Sequence, residues 1–421
     1  MKKRILALSL VPAFVLTLVA GCGNKNRVFN YEDSKDKITR ITFFGNKYEA
    51  ENVEVIEAIL SGFMEENPDI QVTYESMKGN SYQDALNKRM AAGKGNDVFM
   101  VNHDTLLKLE EHSQVADLSK LSAMSQYTDQ MSRQMDEDGK IYWVPTTVSV
   151  FGLYCNLDLL DKHHQEVPGT LKEWETVCDY FVEQGITPIV ANNDISLKTL
   201  AIGRGFYSVY QENQEENVFR SLNTGEEKLS TYLTDGFSIV KDFIDKGYVD
   251  AGKALDTQKT SGDLEEFVEG TSPFMLTGAW AAGRVKKMEP DFAFEVVPLP
   301  ILEDGSLLVI NADTRLSVNA DSENIEAAKK FVEYFIQRDN IREFVDQQSS
   351  FSPLKNGYPS SAEAIRPLIS SYESGQTVIG TDGRLDLPIW NLTAQASVML
   401  LSGESLSDTM KWIDQQAEGK E

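Results

Sequence analysis

The chain has 421 residues, with 40 Lys and Arg against 65 Asp and Glu, a formal net charge of −25. That length exceeds what one hydrophobic core usually organises, so two domains are expected. The acidic balance excludes a nucleic-acid backbone as the natural partner, because such a partner needs a basic face. Hydrophobic content of 41% and aromatic content of 10% exclude a mostly disordered chain.

The charge is unevenly placed. Residues 1–21 hold Lys2, Lys3 and Arg4 and no acid; without them 37 basic and 65 acidic residues remain, a net of −28. Ile5 to Ala20 is an unbroken apolar and small-residue stretch with Pro12 near its middle. It is too short and too interrupted for a stop-transfer helix and has the layout of a secretory signal. It ends Leu18-Val19-Ala20-Gly21-Cys22. Small residues before a Cys resemble a bacterial lipobox, in which the Cys is acylated and becomes the mature N-terminus. The expectation is a signal peptide over 1–21 and a lipidated Cys22 followed by a flexible tether to residue 37. Acyl chains contribute about 0.8 kcal/mol per buried CH₂, and two or three chains hold a protein stably at a membrane it does not enter. The other cysteines, Cys155 and Cys178, sit among apolar residues. A disulfide and two buried thiols are both open for them, and neither they nor the four His show metal-ligand spacing.

Thr39 to Gly45 alternates apolar and polar residues and stops at Gly, which predicts a strand and a turn. Residues 50–66 place Val53, Ile56, Ile59, Leu60, Phe63 and Met64 at helical spacing, and Asn67-Pro68 ends that helix. A strand at Ile70–Tyr74, a helix at Tyr82–Ala92 and a strand at Asp97–Val101 follow. Strands alternating with helices through short loops indicate parallel βαβ units. Val148 to Cys155 reads as a strand crossing between domains. Thr170 caps a helix over Leu171–Gln184, and Ile189–Ala191 is a short strand. Helices near 196–210, 228–246 and 261–269 precede the apolar run Pro273–Gly278. Later strands are expected at Phe294–Pro298 and Leu307–Ile310. Asp321 or Ser322 caps an amphipathic helix with Ile325, Ala328, Phe331, Val332 and Phe335 on one face. More helices fill the C-terminal third.

Several segments together resemble a known family. They are Ile41-Thr42-Phe43-Phe44; Phe63-Met64-Glu65-Glu66-Asn67-Pro68-Asp69-Ile70; Gly95-Asn96-Asp97-Val98-Phe99; and Ile141-Tyr142-Trp143-Val144-Pro145. Leu153-Tyr154-Cys155-Asn156-Leu157-Asp158, Pro168-Gly169-Thr170-Leu171-Lys172-Glu173-Trp174, Met275-Leu276-Thr277-Gly278-Ala279-Trp280 and Ala327-Ala328-Lys329-Lys330-Phe331-Val332 continue the series. With the lipobox, their order is similar to that of the family 1 extracellular solute-binding lipoproteins of bacterial ABC importers, the carbohydrate and oligosaccharide binders. One stretch departs: Asn311 to Asn319 lacks the glycine pair the family often has there, and presents Asp313 or Arg315 instead.

The resemblance implies an α/β, two-lobe, periplasmic-binding-protein-like fold of class II type, with ligand in the interlobe cleft. Lobe one would hold 38–147 plus 276–318, and lobe two 148–275 plus 319–421. Crossovers fall near 145–152, 275 and 318. It implies a binding protein rather than an enzyme, a lipid-anchored, palmitoylated monomer on the extracellular face of the cell membrane. Its partners would be a carbohydrate and the membrane subunits of an ABC permease, with no nucleic acid and no cofactor.

Sugars have apolar C–H faces and polar edges, so a site needs aromatic rings beside hydrogen-bonding side chains. Trp280, in Gly278-Ala279-Trp280-Ala281, is the first candidate, since its small neighbours leave the ring reachable and the family's matching Trp commonly stacks on sugar. Trp143 and Trp390 lie in loops or near a crossover and join it. Trp174 and Trp412 read as core. Asp97 serves a sugar or fixes a loop. Phe44 and Asn46 end the first strand and Asn102 and His103 end the third, and these face the cleft by that geometry; Asn192, Asn193 and Asp194 follow the short strand in lobe two, where forming a turn competes with meeting a ligand. Competing classes are a secreted glycosidase, which needs a carboxylate pair that no motif identifies, and a binder of another polar solute such as glycerol phosphate, which calls for basic residues and glycine-rich helix starts.

Overall fold

The computed structural model describes residues 38–259 and 261–418. The signal peptide, the lipidation expected at Cys22 and the tether lie outside the described residues. Its strands are β1 (Thr39–Gly45), β2 (Ile70–Ser76), β3 (Val98–Val101), β4 (Asp136–Glu137), β5 (Lys140–Ile141), β6 (Val144–Asn156), β7 (Ile189–Val190), β8 (Phe274–Gly278), β9 (Phe294–Val297), β10 (Leu308–Val318) and β11 (Thr377–Ile379). Nine of them form one sheet in the order β2-β1-β3-β10-β6-β8-β7, with β11 on β10 and β9 on β6; β4 and β5 form a separate hairpin.

The first βαβ units form as their periodicity dictates. β1 lies parallel to β2 and β3. The helix Ala50–Glu66 buries Ile56, Ile59, Leu60 and Phe63, one face of a 3.6-residue repeat. Asn67 closes it by donating its side-chain amide to the Phe63 carbonyl at 2.8 Å, and Pro68 cannot continue it. Thr170 makes a full capping box with Glu173 at the start of the helix Leu171–Glu183.

Two long strands tie the molecule together. β6 is buried along all thirteen residues. It pairs with β10 from Val144 to Phe151, then with β8 and β9 as far as Asn156. β10 pairs with β3 at one end and with β11 at the other. These strands run between two hydrophobic cores. One core gathers β1–β3 with Phe63, Tyr82, Val285 and Phe331. The other gathers Trp174, Leu200, Phe237, Phe274, Leu299 and Leu400.

The two cores draw on segments from across the chain. Residues 325–347 were expected in lobe two, yet Phe331, Phe335 and Phe344 belong to the first core. Phe331 packs on Phe43 and Phe63 with ring centroids 5.6 and 5.3 Å apart. Conversely Leu299, Ile301, Leu307 and Val309, expected in lobe one, lie in the second core. The apolar face of a helix shows that it packs, not on which core. The helix itself runs Ile325–Phe335 with Asn324 at its N-cap, not Asp321 or Ser322. Ser322 donates instead to Asp97 at 2.6 Å.

The helices Ser196–Gln211 and Leu229–Asp245 cross closely: a Cβ on Gly236 would lie 2.1 Å from the Ala201 carbonyl oxygen. Cys155 and Cys178 are both free and buried. Burial pushes both thiols well above their ordinary range, which makes them inert. Among the described residues no helix is long and apolar enough to cross a membrane.

Candidate functional site

A cleft of about 790 Å³ opens where loops from both cores meet. Asn46 to Glu49 follow β1, and Lys78 and Gly79 follow β2. Asn193 and Asp194 follow β7, and Trp280 and Arg284 follow β8. The end of the helix Arg338–Gln347 completes the wall. The carboxyl ends of parallel strands are where open α/β sheets present side chains to a ligand.

Trp280 is half-buried at this cleft. Its seat is made by Gly278, where a Cβ would lie 2.0 Å from the indole ring. Phe151 of β6 meets Trp280 edge-on at 5.0 Å and Trp390 at 5.3 Å. One buried phenyl ring therefore positions two tryptophans, one from the segment after β8 and one from the helix Ile389–Leu401.

The polar wall is a chain of held groups. Lys47 donates to the Gln348 side-chain oxygen at 2.6 Å, and Gln348 donates to Asn52 at 2.6 Å. The Tyr74 hydroxyl pins the loop by donating to the Lys47 carbonyl at 2.9 Å. Asp194 binds Lys198 at 2.5 Å and also pairs with Lys259. Burial disfavours the Asp194 carboxylate, but the two ammonium groups outweigh it and hold the carboxyl below its usual range. Burial lowers Lys198 to about 8; its ammonium sits 4.0 Å from the Trp390 ring centroid.

A second cluster bridges the cores behind the cleft. Arg315 is 2% exposed, stacks on Trp143 at 3.9 Å and donates to the Ala312 and Thr381 carbonyls. His103 Nε2 faces the Leu385 carbonyl at 2.9 Å, and a carbonyl can only accept, so Nε2 carries the proton. Burial, with the Arg315 charge, lowers His103 to about 3 and keeps it neutral. Asp104 accepts from the Asn391 amide at 3.0 Å, across the cores, while its other oxygen is buried without a partner. Burial raises that carboxyl to about 6.

Of the residues chosen from sequence, Asn46, Asn193 and Trp280 line the cleft. Asn193 also donates its side-chain amide to Leu255. Trp390 stands beside Trp280 through Phe151 but outside the cleft lining. The others lie outside the cleft lining. Phe44 is fully buried against Tyr82 and under Arg89. Asp97 sits at the amino end of β3 and accepts from the Thr42 amide and hydroxyl at 2.7 and 2.9 Å, fixing β1 to β3. Asn102 caps the helix His103–Glu111 by accepting from Thr105, and His103 and Trp143 are buried in the cluster around Arg315. Sequence reasoning passed over Lys47, Arg284 and Phe151, and weighed Asp194 only against a turn. Lys47 and Asp194 adjoin chosen residues, so the strand-end rule that selected Asn46 and Asn193 reached their loops. Phe151 carries no local signal, because it acts through residues more than a hundred positions away.

Residues 58–366 match the family model described as bacterial extracellular solute-binding protein. The chain belongs to the bacterial extracellular solute-binding proteins. Members of this family are exported binding proteins. The multiple sugar-binding protein of Streptococcus mutans is 22% identical over 374 residues, 83% of each chain. The maltodextrin-binding protein MdxE of Bacillus subtilis is 25% identical over 302 residues, 70% of this chain and 69% of that one. Among solved structures, RafE of Streptococcus pneumoniae in complex with raffinose superposes with a TM-score of 0.69 at 21% identity, covering 90% of this chain and 100% of that one. At that identity the likeness establishes the two-lobe fold of this solute-binding protein.

Proposed function

We propose that the protein captures an oligosaccharide in the cleft between its two cores and delivers it to the membrane subunits of an ABC permease. It works as a binding protein and not as an enzyme, held on the extracellular face of the cell membrane by lipid on Cys22. The observation that carries this reading is Trp280: a half-buried indole, seated over Gly278 and braced by Phe151, at a cleft walled by amides and charged groups. That is the pairing of an apolar face with hydrogen-bonding edges that a pyranose presents. Relatives named for multiple sugars and maltodextrin support the ligand class. Asn46 and Asn193 reach the ligand from opposite cores, so ligand favours the closed form and shifts the population toward it.

Titration calorimetry against a panel of oligosaccharides tests the reading, together with tryptophan fluorescence of the wild type and Trp280→Ala. Binding by at least one sugar, weakened tenfold or more in the variant, is the expected result. Release of shorter sugars would favour an enzyme, and no binding to any member of the panel would refute the proposal.

A further inference from the structure

The cleft has a charge balance unlike that of the chain. Acids outnumber bases by 25 overall, yet the cleft wall carries Lys47, Lys78, Lys259, Arg284 and Lys287 against four carboxylates. Three of those carboxylates are taken: Asp194 pairs with Lys259, Glu49 with Arg284 at 3.6 Å, and Glu51 with Lys287 at 2.5 Å. The fourth, Asp346, accepts from the Ser361 amide at 2.7 Å and from the Ser360 hydroxyl. Lys47 and Lys78 remain, and among the described residues neither forms an ion pair.

These two ammonium groups come from different loops of the same cleft. Lys78 lies 5.7 Å from the centroid of Tyr48, which is 37% exposed, and Lys47 is its sequence neighbour. Lys47 is the built element. Its loop is pinned by Tyr74 and its ammonium is aimed by the Asn52–Gln348 chain, with only a neutral amide as acceptor. Burial pulls the Lys47 ammonium below its ordinary range, with Asp313 and Glu49 opposing that pull. Asp313 is itself engaged by Ser149 and the Thr314 amide. A half-buried ammonium served by one amide gains a charge-assisted bond from any anion that enters.

We propose that the oligosaccharide is anionic, carrying a carboxylate or sulfate that Lys47 and Lys78 receive while the Tyr48 ring lies against the adjoining sugar. This rests on the reading of the cleft as an oligosaccharide site. It assigns Lys47 and Lys78 as the residues that separate charged from neutral glycans.

Calorimetry on the folded wild type compares a galacturonic-acid trimer, a sulfated disaccharide and their neutral counterparts. At least one anionic glycan binds tenfold or more tighter than its neutral counterpart, and that preference shrinks as salt rises from 50 to about 500 mM, as screening requires. The uronate and sulfate arms tell the two sources of charge apart. The double variant Lys47→Gln/Lys78→Gln, checked for native circular dichroism, binds the anionic glycan no more tightly than its neutral counterpart. A neutral glycan bound as tightly as both anionic ones overturns the inference and leaves the sugar reading standing. A preference that survives in the double variant overturns the assignment of the two lysines. Failure of every glycan overturns both.

Discussion

Asp104→Asn tests how the two cores are joined. The Asp104 side chain is 5% exposed, and one oxygen accepts from the Asn391 amide in the first turn of the helix Ile389–Leu401. The other oxygen has no partner. Burial holds the folded carboxyl at about 6, against an ordinary 3.8. The folded state therefore holds its proton more tightly than the unfolded state. The resulting stability is fully present below pH 3.8 and is lost as pH rises through about 6. A shift of about two units corresponds to about 3 kcal/mol at most, because each unit is about 1.4 kcal/mol. Asn keeps the acceptor for the Asn391 amide and cannot ionise. The ligand-free variant should thus match the wild type near pH 4 and exceed it by about 1–3 kcal/mol at pH 7.5. Urea unfolding of both proteins between pH 4 and 7.5 measures the difference. His103 titrates with the opposite sign in the same window, but it is present in both proteins and cancels. A difference that stays flat with pH, or a variant weaker than the wild type at pH 7.5, refutes the reasoning.

Asp97→Ala should cost about 2 kcal/mol in unfolding free energy through the lost bonds to Thr42 and Ser322, with sugar affinity unchanged; a large loss of affinity in protein that still folds would return Asp97 to the site. His103 stays neutral to about pH 3, so its contribution is lost as pH falls from 6.5; His103→Gln, whose amide can still donate to Leu385, should flatten that acid loss, and unchanged acid sensitivity would count against it. Thr314 has φ +44°, which a β-branched residue rarely adopts. Thr314→Gly should be more stable than Thr314→Ala by about 1 kcal/mol in chemical unfolding, and the reverse order would show the backbone relaxes once Thr is gone.

The early βαβ units were legible because each element states its own period. Phe43 and Phe44 close a strand, and Ile56, Ile59, Leu60 and Phe63 mark one helical face. β6 and β10 were only half legible. A strand buried on both faces loses its alternation, and β6 reads as an apolar run with small polar residues inside it. β10 hides further. Its Asn311, Asp313, Thr314, Arg315 and Ser317 look like an exposed loop, yet all but Asp313 are buried and Asp313 is half-buried. Their partners are distant in sequence: Ser149 for Asp313, Trp143 and Thr381 for Arg315, and the Tyr142 carbonyl for Ser317.

The same stretch explains the glycine pair that the sequence lacks. Thr314 occupies a left-handed backbone conformation that glycine adopts without strain, and here a threonine holds it. Its carbonyl accepts from Thr146 on β6 at 3.0 Å, and its amide bonds the Asp313 carboxylate. The departure thus places a left-handed residue between two charged side chains. The Asp313 carboxylate is held by Ser149 of β6 and its charge acts on both Lys47 and Arg315, and Arg315 lies in the cluster that joins the cores. One strand segment therefore couples the charge of the site to the contacts that hold the two cores together. The ammonium that reads the ligand and the contacts between the cores are set by neighbouring residues of β10.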